Sequence, residues 1–207
     1  MQQVRYLLFA MLAVSACKSH SAGAPTQQRA VQSVAQQQVQ ARIETAQEKS
    51  CQEVVQGFYD WYFDRLNSEA KGQSNGSALD DVLRLKPELL TAKLRQMLRE
   101  DRDSASKNAG EIVGLDFDPY INAQDWEGKY FVESATVQGS NCRASVWGTD
   151  AGKKREIVDP ELESDKGKWV FVNFHYPGEP DARNENLIAV LEGLREDRKH
   201  PHKNEAP

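Results

Sequence analysis

Three thiols carry the most specific chemistry in this chain. Cys17 follows Val14-Ser15-Ala16 near the N-terminus, and Cys51 and Cys142 lie far apart in the remainder. The surroundings of Cys17 have the parts of a signal peptide. Arg5 supplies the positive start, Tyr6 to Val14 the apolar run, and Ser15 and Ala16 are small enough for a peptidase pocket. The run is shorter than the ~20 apolar residues that cross a bilayer, so the sequence predicts cleavage, not a retained span. An exported compartment permits disulfides. With Cys17 set aside, two thiols leave one intramolecular pairing, Cys51 with Cys142. The alternative is two separate buried thiols. Closing a loop of about 90 residues would contribute roughly 4–5 kcal/mol on the chain-entropy account, less any strain, and the bridge is the expectation.

Other reactive constellations are missing from the pattern. No Cys or His has a ligand partner at metal-site spacing, and His200 and His202 stand two apart in a polar tail that makes a poor metal site. There is no glycine-rich phosphate loop and no arguable Ser-His-Asp spacing. No cofactor is expected. The net charge is −5 with both signs mixed throughout. Without a basic stripe, a nucleic-acid partner is excluded.

The elements that would position any site follow from periodicity. Residues 1–16 read as the leader and residues 17–49, rich in Gln, Ala and Ser, as a tether. Val31, Val34, Val39 and Ile43 allow at most a frayed helix there. Residues 50–198 read as a single domain and 199–207 as a disordered tail. Ser50 and Glu53 form a capping-box pattern for a first solid helix over 50–67. Val54, Phe58, Tyr62 and Leu66 recur on one face of it. A short helical turn covers Leu79 to Leu85, and Pro87 opens a helix to about Ser106 with a Leu90, Leu94, Met97, Leu98 stripe. Strands follow at 129–138, 142–149, 154–159 and 168–176, joined by glycine-containing turns. Cys142, Ala144 and Val146 give the second strand a small apolar face. The last strand is apolar on both faces, which predicts a central place in the sheet. Asp181 caps a final helix with Leu187, Leu191 and Leu194 aligned. Helices first and an antiparallel sheet after predict an α+β fold: N-terminal helices packed on a curved sheet of about four strands, with a C-terminal helix. The sheet is expected to curl around the long Leu/Met helix.

Two resemblances add to this reading. Val14-Ser15-Ala16-Cys17 resembles the lipobox of bacterial lipoproteins, in which the Cys thiol is lipidated and the chain is cut before it. An ordinary signal peptide with a chance Cys nearby is the alternative. Lys18, where some lipoproteins carry Asp, implies by that resemblance sorting to the outer membrane, facing the periplasm. The helix Phe58-Tyr59-Asp60-Trp61-Tyr62, the segment Asp118-Pro119-Tyr120 with Ala123-Gln124-Asp125, and the strand Trp169-Val170-Phe171-Val172 leading into Tyr176 resemble the YbjP-type family of bacterial lipoproteins. That resemblance spans roughly residues 51–197. It implies a cone-shaped fold like that of nuclear transport factor 2 and the cystatin-like group, and it brings no catalytic residues with it.

Cone folds often hold a pocket between first helix and sheet, and some resembling families place Tyr, Asp or His there, where desolvation shifts pKa values usefully. The candidates here are Tyr59, Tyr62, Asp116, Asp118, Asp125 and His175. Each also has a structural reading: core aromatics for the tyrosines, an Asp-Pro turn at Asp118, a turn cap for Asp125, a hydrogen-bonded His175 sharing a strand face with Trp169, Phe171 and Asn173. The expected function is a non-enzymatic accessory lipoprotein, held on the membrane by Cys17 and binding another envelope protein. A small-ligand or enzymatic cone pocket and an immunity protein against a periplasmic toxin are the alternatives.

Overall fold

Glutamine, alanine and glutamate favour helix, and no proline interrupts residues 26–70. They form one helix in the computed structural model, which describes residues 26–107, 114–125, 127–150, 152–178 and 184–199. This helix, α1 (Thr26–Ala70), starts 24 residues before the helix expected from Ser50, which lies in its interior and caps nothing. The expected 49/50 boundary therefore falls inside α1. By contacts the chain divides into Met1–Gln40 and Ala41–Pro207, and the fold below is that of the second unit. Cys17, Asp181, His200 and His202 lie outside the described residues, as do the whole leader and all of the tail after Lys199.

Two short helices follow. Ser77 Oγ accepts the Asp80 N–H at 3.2 Å and caps α2 (Ala78–Leu85). Its Asp81 is fully buried between Arg65 of α1 and Arg84, a buried carboxylate matched by two guanidiniums. Pro87 opens only a single 3₁₀ turn, Pro87–Leu89, and α3 runs Ala92–Lys107. Thr91 separates them: its Oγ1 accepts the Leu94 N–H at 3.4 Å and its own N–H bonds Phe171.

The four strands β1 (Glu127–Gln138), β2 (Asn141–Asp150), β3 (Lys153–Asp165) and β4 (Lys168–His175) form an antiparallel meander in sequence order. The protein is thus α+β, a four-stranded curved antiparallel sheet with helices before it and α4 (Leu187–Lys199) after it. Two-residue turns set the registers. Lys166 and Gly167 both take positive φ, 52° and 79°, the twist such a hairpin turn needs. β3 continues through Pro160 to Asp165, beyond the strand expected at 154–159. The ladder is irregular beside that proline, between Glu161 and Leu162, which is where a strand tolerates a missing N–H.

Two expectations about the last strand are corrected. β4 lies at the edge of the sheet, not its centre. Its apolar character on both sides arises because helices cover it: Thr91 bonds Phe171, and His175 bridges Asn186 at the start of α4. The same irregularity at Glu161/Leu162 shifts the alternation along β4. Trp169 and Phe171 face inward with Phe174, while His175 and Asn173 stand apart from them. Asn186, rather than Asp181, caps α4, its Oδ1 accepting the Ala189 N–H at 3.0 Å.

The sheet meets α1 as well as the Leu/Met helix, which reaches it at β4. Cys51 and Cys142 are bonded (Sγ–Sγ 2.04 Å), tying α1 to the start of β2. Phe58 of α1 lies 4.9 Å from Phe171 of β4, centroid to centroid. Leu94, Met97 and Leu98 are still buried, but α3 packs against β4 and α4. Glutamines of α1 reach the backbone of β1. Gln56 accepts the Val132 N–H at 2.8 Å and donates to Tyr130 O, and Gln52 donates to Val132 O. Gly148 of β2 leaves room for the Tyr130 ring, which any Cβ there would overlap.

Candidate functional site

Every tyrosine beyond the leader meets at one loop. Asp118-Pro119-Tyr120-Ile121 turns back on itself: Asp118 Oδ1 accepts the Tyr120 N–H at 2.9 Å, and Asp118 N–H bonds Ala123 O. Such a buried turn leaves carbonyls without backbone donors, and each must find another. Phenols supply them. Tyr62 donates to Asp118 Oδ2 at 2.5 Å, Tyr176 to Pro119 O at 3.0 Å, Tyr59 to Tyr120 O at 2.7 Å and Tyr130 to Ile121 O at 3.4 Å. Four side chains from α1, β1 and the end of β4 thus hold four consecutive residues. Burial and the nearby Asp118 charge raise the pKa values of Tyr59, Tyr62 and Tyr176 well above their ordinary value, so these groups remain donors.

Asp118 is the one titratable acid in this cluster. Burial pushes its carboxyl up to about 6, against the opposing hydrogen bonds from Tyr62 and the loop backbone. A folded-state pKa above the unfolded value favours the folded state most strongly when the group is protonated. Stability from this residue is therefore full below about pH 4 and is lost as pH rises through about 6. After allowance for solvent at its exposed edge, the loss is about 2 kcal/mol by pH 7. Asp118→Asn is expected to flatten the slope by about that amount, read as urea-unfolding free energies from pH 4 to 7, leaving only what other raised carboxyls contribute. Parallel native and variant profiles would refute the assignment.

The structure brings Tyr59, Tyr62 and Asp118 together but fills the space around them. Phe58 stacks on Tyr62, and Tyr120 meets Phe58, Tyr62 and Phe174 edge-on. The expected pocket between α1 and the sheet is occupied by these rings. Asp116 is exposed, and its carbonyl accepts a hydrogen bond from Gln124. Asp125 is also exposed, on the wall of a separate 140 Å³ cavity with Tyr130 and Arg155.

His175 belongs to another place altogether. It lines a groove of 700 Å³ across the strands, with Ser134 and Thr136 of β1, Arg143 of β2, and Asp159 and Glu161 of β3. His175 Nε2 is 2.9 Å from Glu161 Oε2, and Arg143 is 3.6 Å from Asp159. Burial and the adjacent Glu156 raise the Asp159 carboxyl to about 6, while Arg143 opposes the shift. Ser145 donates to Glu156 and accepts from Trp147 Nε1. Beside the groove, Lys154 lies over the half-buried rings of Phe131 and Trp147. Arg143, Ser145 and Trp147 were legible as the outward set of β2 because they alternate with Cys142, Ala144 and Val146. Their acidic partners on β3 had no such signal, since a shift at Val146/Trp147 breaks the pattern.

Among the described residues no three of His, Cys, Asp and Glu converge as a metal site, and no helix is long and apolar enough to cross a membrane. No family model, curated protein or solved structure matches the chain.

Proposed function

We propose that this chain is a bacterial envelope lipoprotein, anchored through a lipidated Cys17, whose α+β unit binds another envelope protein through the groove-bearing face of its sheet. One contrast carries the reading. The space between α1 and the sheet is packed with rings, whereas the groove lined by His175 and Arg143 is open, polar and flanked by half-buried Trp147 and Phe131. Trp and Arg dominate the energetics of protein interfaces, and paired charges of both signs give orientation and selectivity more than raw affinity. The resemblance to the YbjP-type lipoproteins and to the lipobox supports the envelope setting. Several acyl chains on Cys17 would hold the protein firmly where one would not.

A photo-crosslinking residue at Thr136, inside the groove, is expected to capture one discrete envelope protein in intact cells. The same residue at exposed Lys93 of α3 is the control. Arg143→Glu should reduce the capture several-fold without changing protein level. Cys17→Ser should move the protein from the membrane to the soluble fraction and abolish capture. Equal capture at Thr136 and Lys93, or none at either, would refute the interface, and a membrane-bound Cys17→Ser protein would refute the anchor.

A further inference from the structure

Phe131 of β1 and Trp147 of β2 are direct cross-strand neighbours, and both are half-buried. Lys154 of β3 lays its ammonium over both rings, 4.2 Å from the Phe131 centroid and 5.5 Å from that of Trp147. Aromatic faces attract a cation at such distances through their electron-rich quadrupole. The indole is held in place. Its Nε1–H donates to Ser145 Oγ at 2.9 Å, and Ser145 in turn donates to Glu156, the cross-strand neighbour of Trp147 on β3. Glu133 adds a carboxylate 3.7 Å from Lys154 Nζ. Two rings and a carboxylate thus meet at one cation position, and Lys154 is its resident occupant.

Lys154 fits that position imperfectly. Its Nζ has no hydrogen-bond partner among the described residues, since Glu133 lies beyond hydrogen-bond reach. A primary ammonium is strongly hydrated and carries three N–H donors. Lys154 leaves these to water, and its side chain stays 57% exposed. An exposed cation–π contact shifts an equilibrium by only about two- to fivefold, and an exposed ion pair by no more, so a competitor can displace Lys154. A quaternary ammonium has no N–H to satisfy and is recognised through aromatic faces. We propose that Phe131, Trp147 and Glu133 form a binding site for a small quaternary ammonium compound of the choline type, which displaces Lys154 from the rings. The carboxylates of Glu133 and Glu156 select against phosphocholine, whose phosphate they would repel. The site borders the groove assigned above to a protein partner, but its contacts are complete without one.

Choline is titrated into the full chain at constant ionic strength and read by the Trp147 indole N–H resonance. Neohexanol, its uncharged carbon isostere, and phosphocholine are the comparisons. Choline is expected to shift that resonance saturably, with a dissociation constant on the order of millimolar from two ring contacts and one charge. Both comparison compounds should bind at least about fivefold more weakly. Lys154→Thr removes the resident cation and should tighten choline about threefold, whereas Phe131→Leu should weaken it about threefold or more. A choline response that does not saturate, that neohexanol or phosphocholine matches, or that Lys154→Thr leaves unchanged or weakens, overturns the proposal. Lys154 is exposed, so Lys154→Thr decides the matter even where Phe131→Leu unfolds the chain. No readout here needs a protein partner, so failure of these titrations leaves the groove reading standing, and failure of capture at Thr136 leaves this site standing.

Discussion

Replacing Cys51 and Cys142 together by alanine is expected to lower the unfolding free energy by about 4 kcal/mol. The two residues are 91 apart in sequence, and constraining a loop of that length removes roughly 4–5 kcal/mol of chain entropy from the unfolded ensemble. A domain of this size is stable by only about 5–15 kcal/mol in total, so the variant should sit close to its unfolding threshold at 37 °C. The bond's placement adds to its importance. It joins α1, at the first buried residue among those whose burial is described, to the start of β2, immediately after the β1–β2 turn. Both cysteines are almost completely buried, so small voids accompany the lost crosslink. Urea unfolding measures the effect as a fall in midpoint. An unchanged midpoint would mean that ring packing and the glutamine contacts hold α1 to the sheet by themselves.

Phe58→Ala is expected to be as damaging, at about 3–5 kcal/mol. Phe58 is 2% exposed and its ring meets those of Tyr59, Trp61, Tyr62, Tyr120, Phe171 and Phe174. These partners come from α1, the tyrosine-held loop and β4, so no single element can close over the void. Rigid neighbours make the cavity persist, which puts the expected loss in the upper part of the range for large-to-small changes. Phe58→Leu should recover more than half of it. A Phe58→Ala loss below about 1.5 kcal/mol would show that the aromatic cluster relaxes and is not a fixed core.

Much of this architecture was legible in the residues themselves. The period-four stripe Val54, Phe58, Tyr62, Leu66 marked the buried face of α1, with Phe58, Tyr62 and Leu66 all in the core. The alternation Cys142, Ala144, Val146 marked the inner face of β2, and the glycine turns marked the hairpins. The pairing of Cys51 with Cys142 followed from counting thiols. What escaped depended on tertiary context. Ser50 looked like a cap because a polar residue before an apolar stripe often is one, but favourable glutamine and alanine propensity carries the helix through it. A strand apolar on both faces looked central, yet helices cover β4 at the edge equally well. His175 and Phe171 looked coplanar until one irregular step in the ladder separated them. For the site, Tyr59 and Tyr62 were rightly grouped with Asp118, but nothing local revealed that phenols from three distant segments satisfy one loop's carbonyls. Asp125 and His175 were grouped with them by analogy to a pocket that rings fill here.

The glutamines of α1 have a meaning beyond packing. An open sheet has two rims, and each offers unpaired amides and carbonyls to any passing extended chain. On β4 the rim is closed by Thr91 and Asn186. On β1 it is interrupted by two register shifts, and Gln52 and Gln56 occupy the outward groups of Tyr130 and Val132. Under the anchoring proposed above, the chain would meet copies of itself at high local density, with every chance to add strands side by side. Two ordinary side chains, placed one helical turn apart, blunt the rim where that polymerisation would begin.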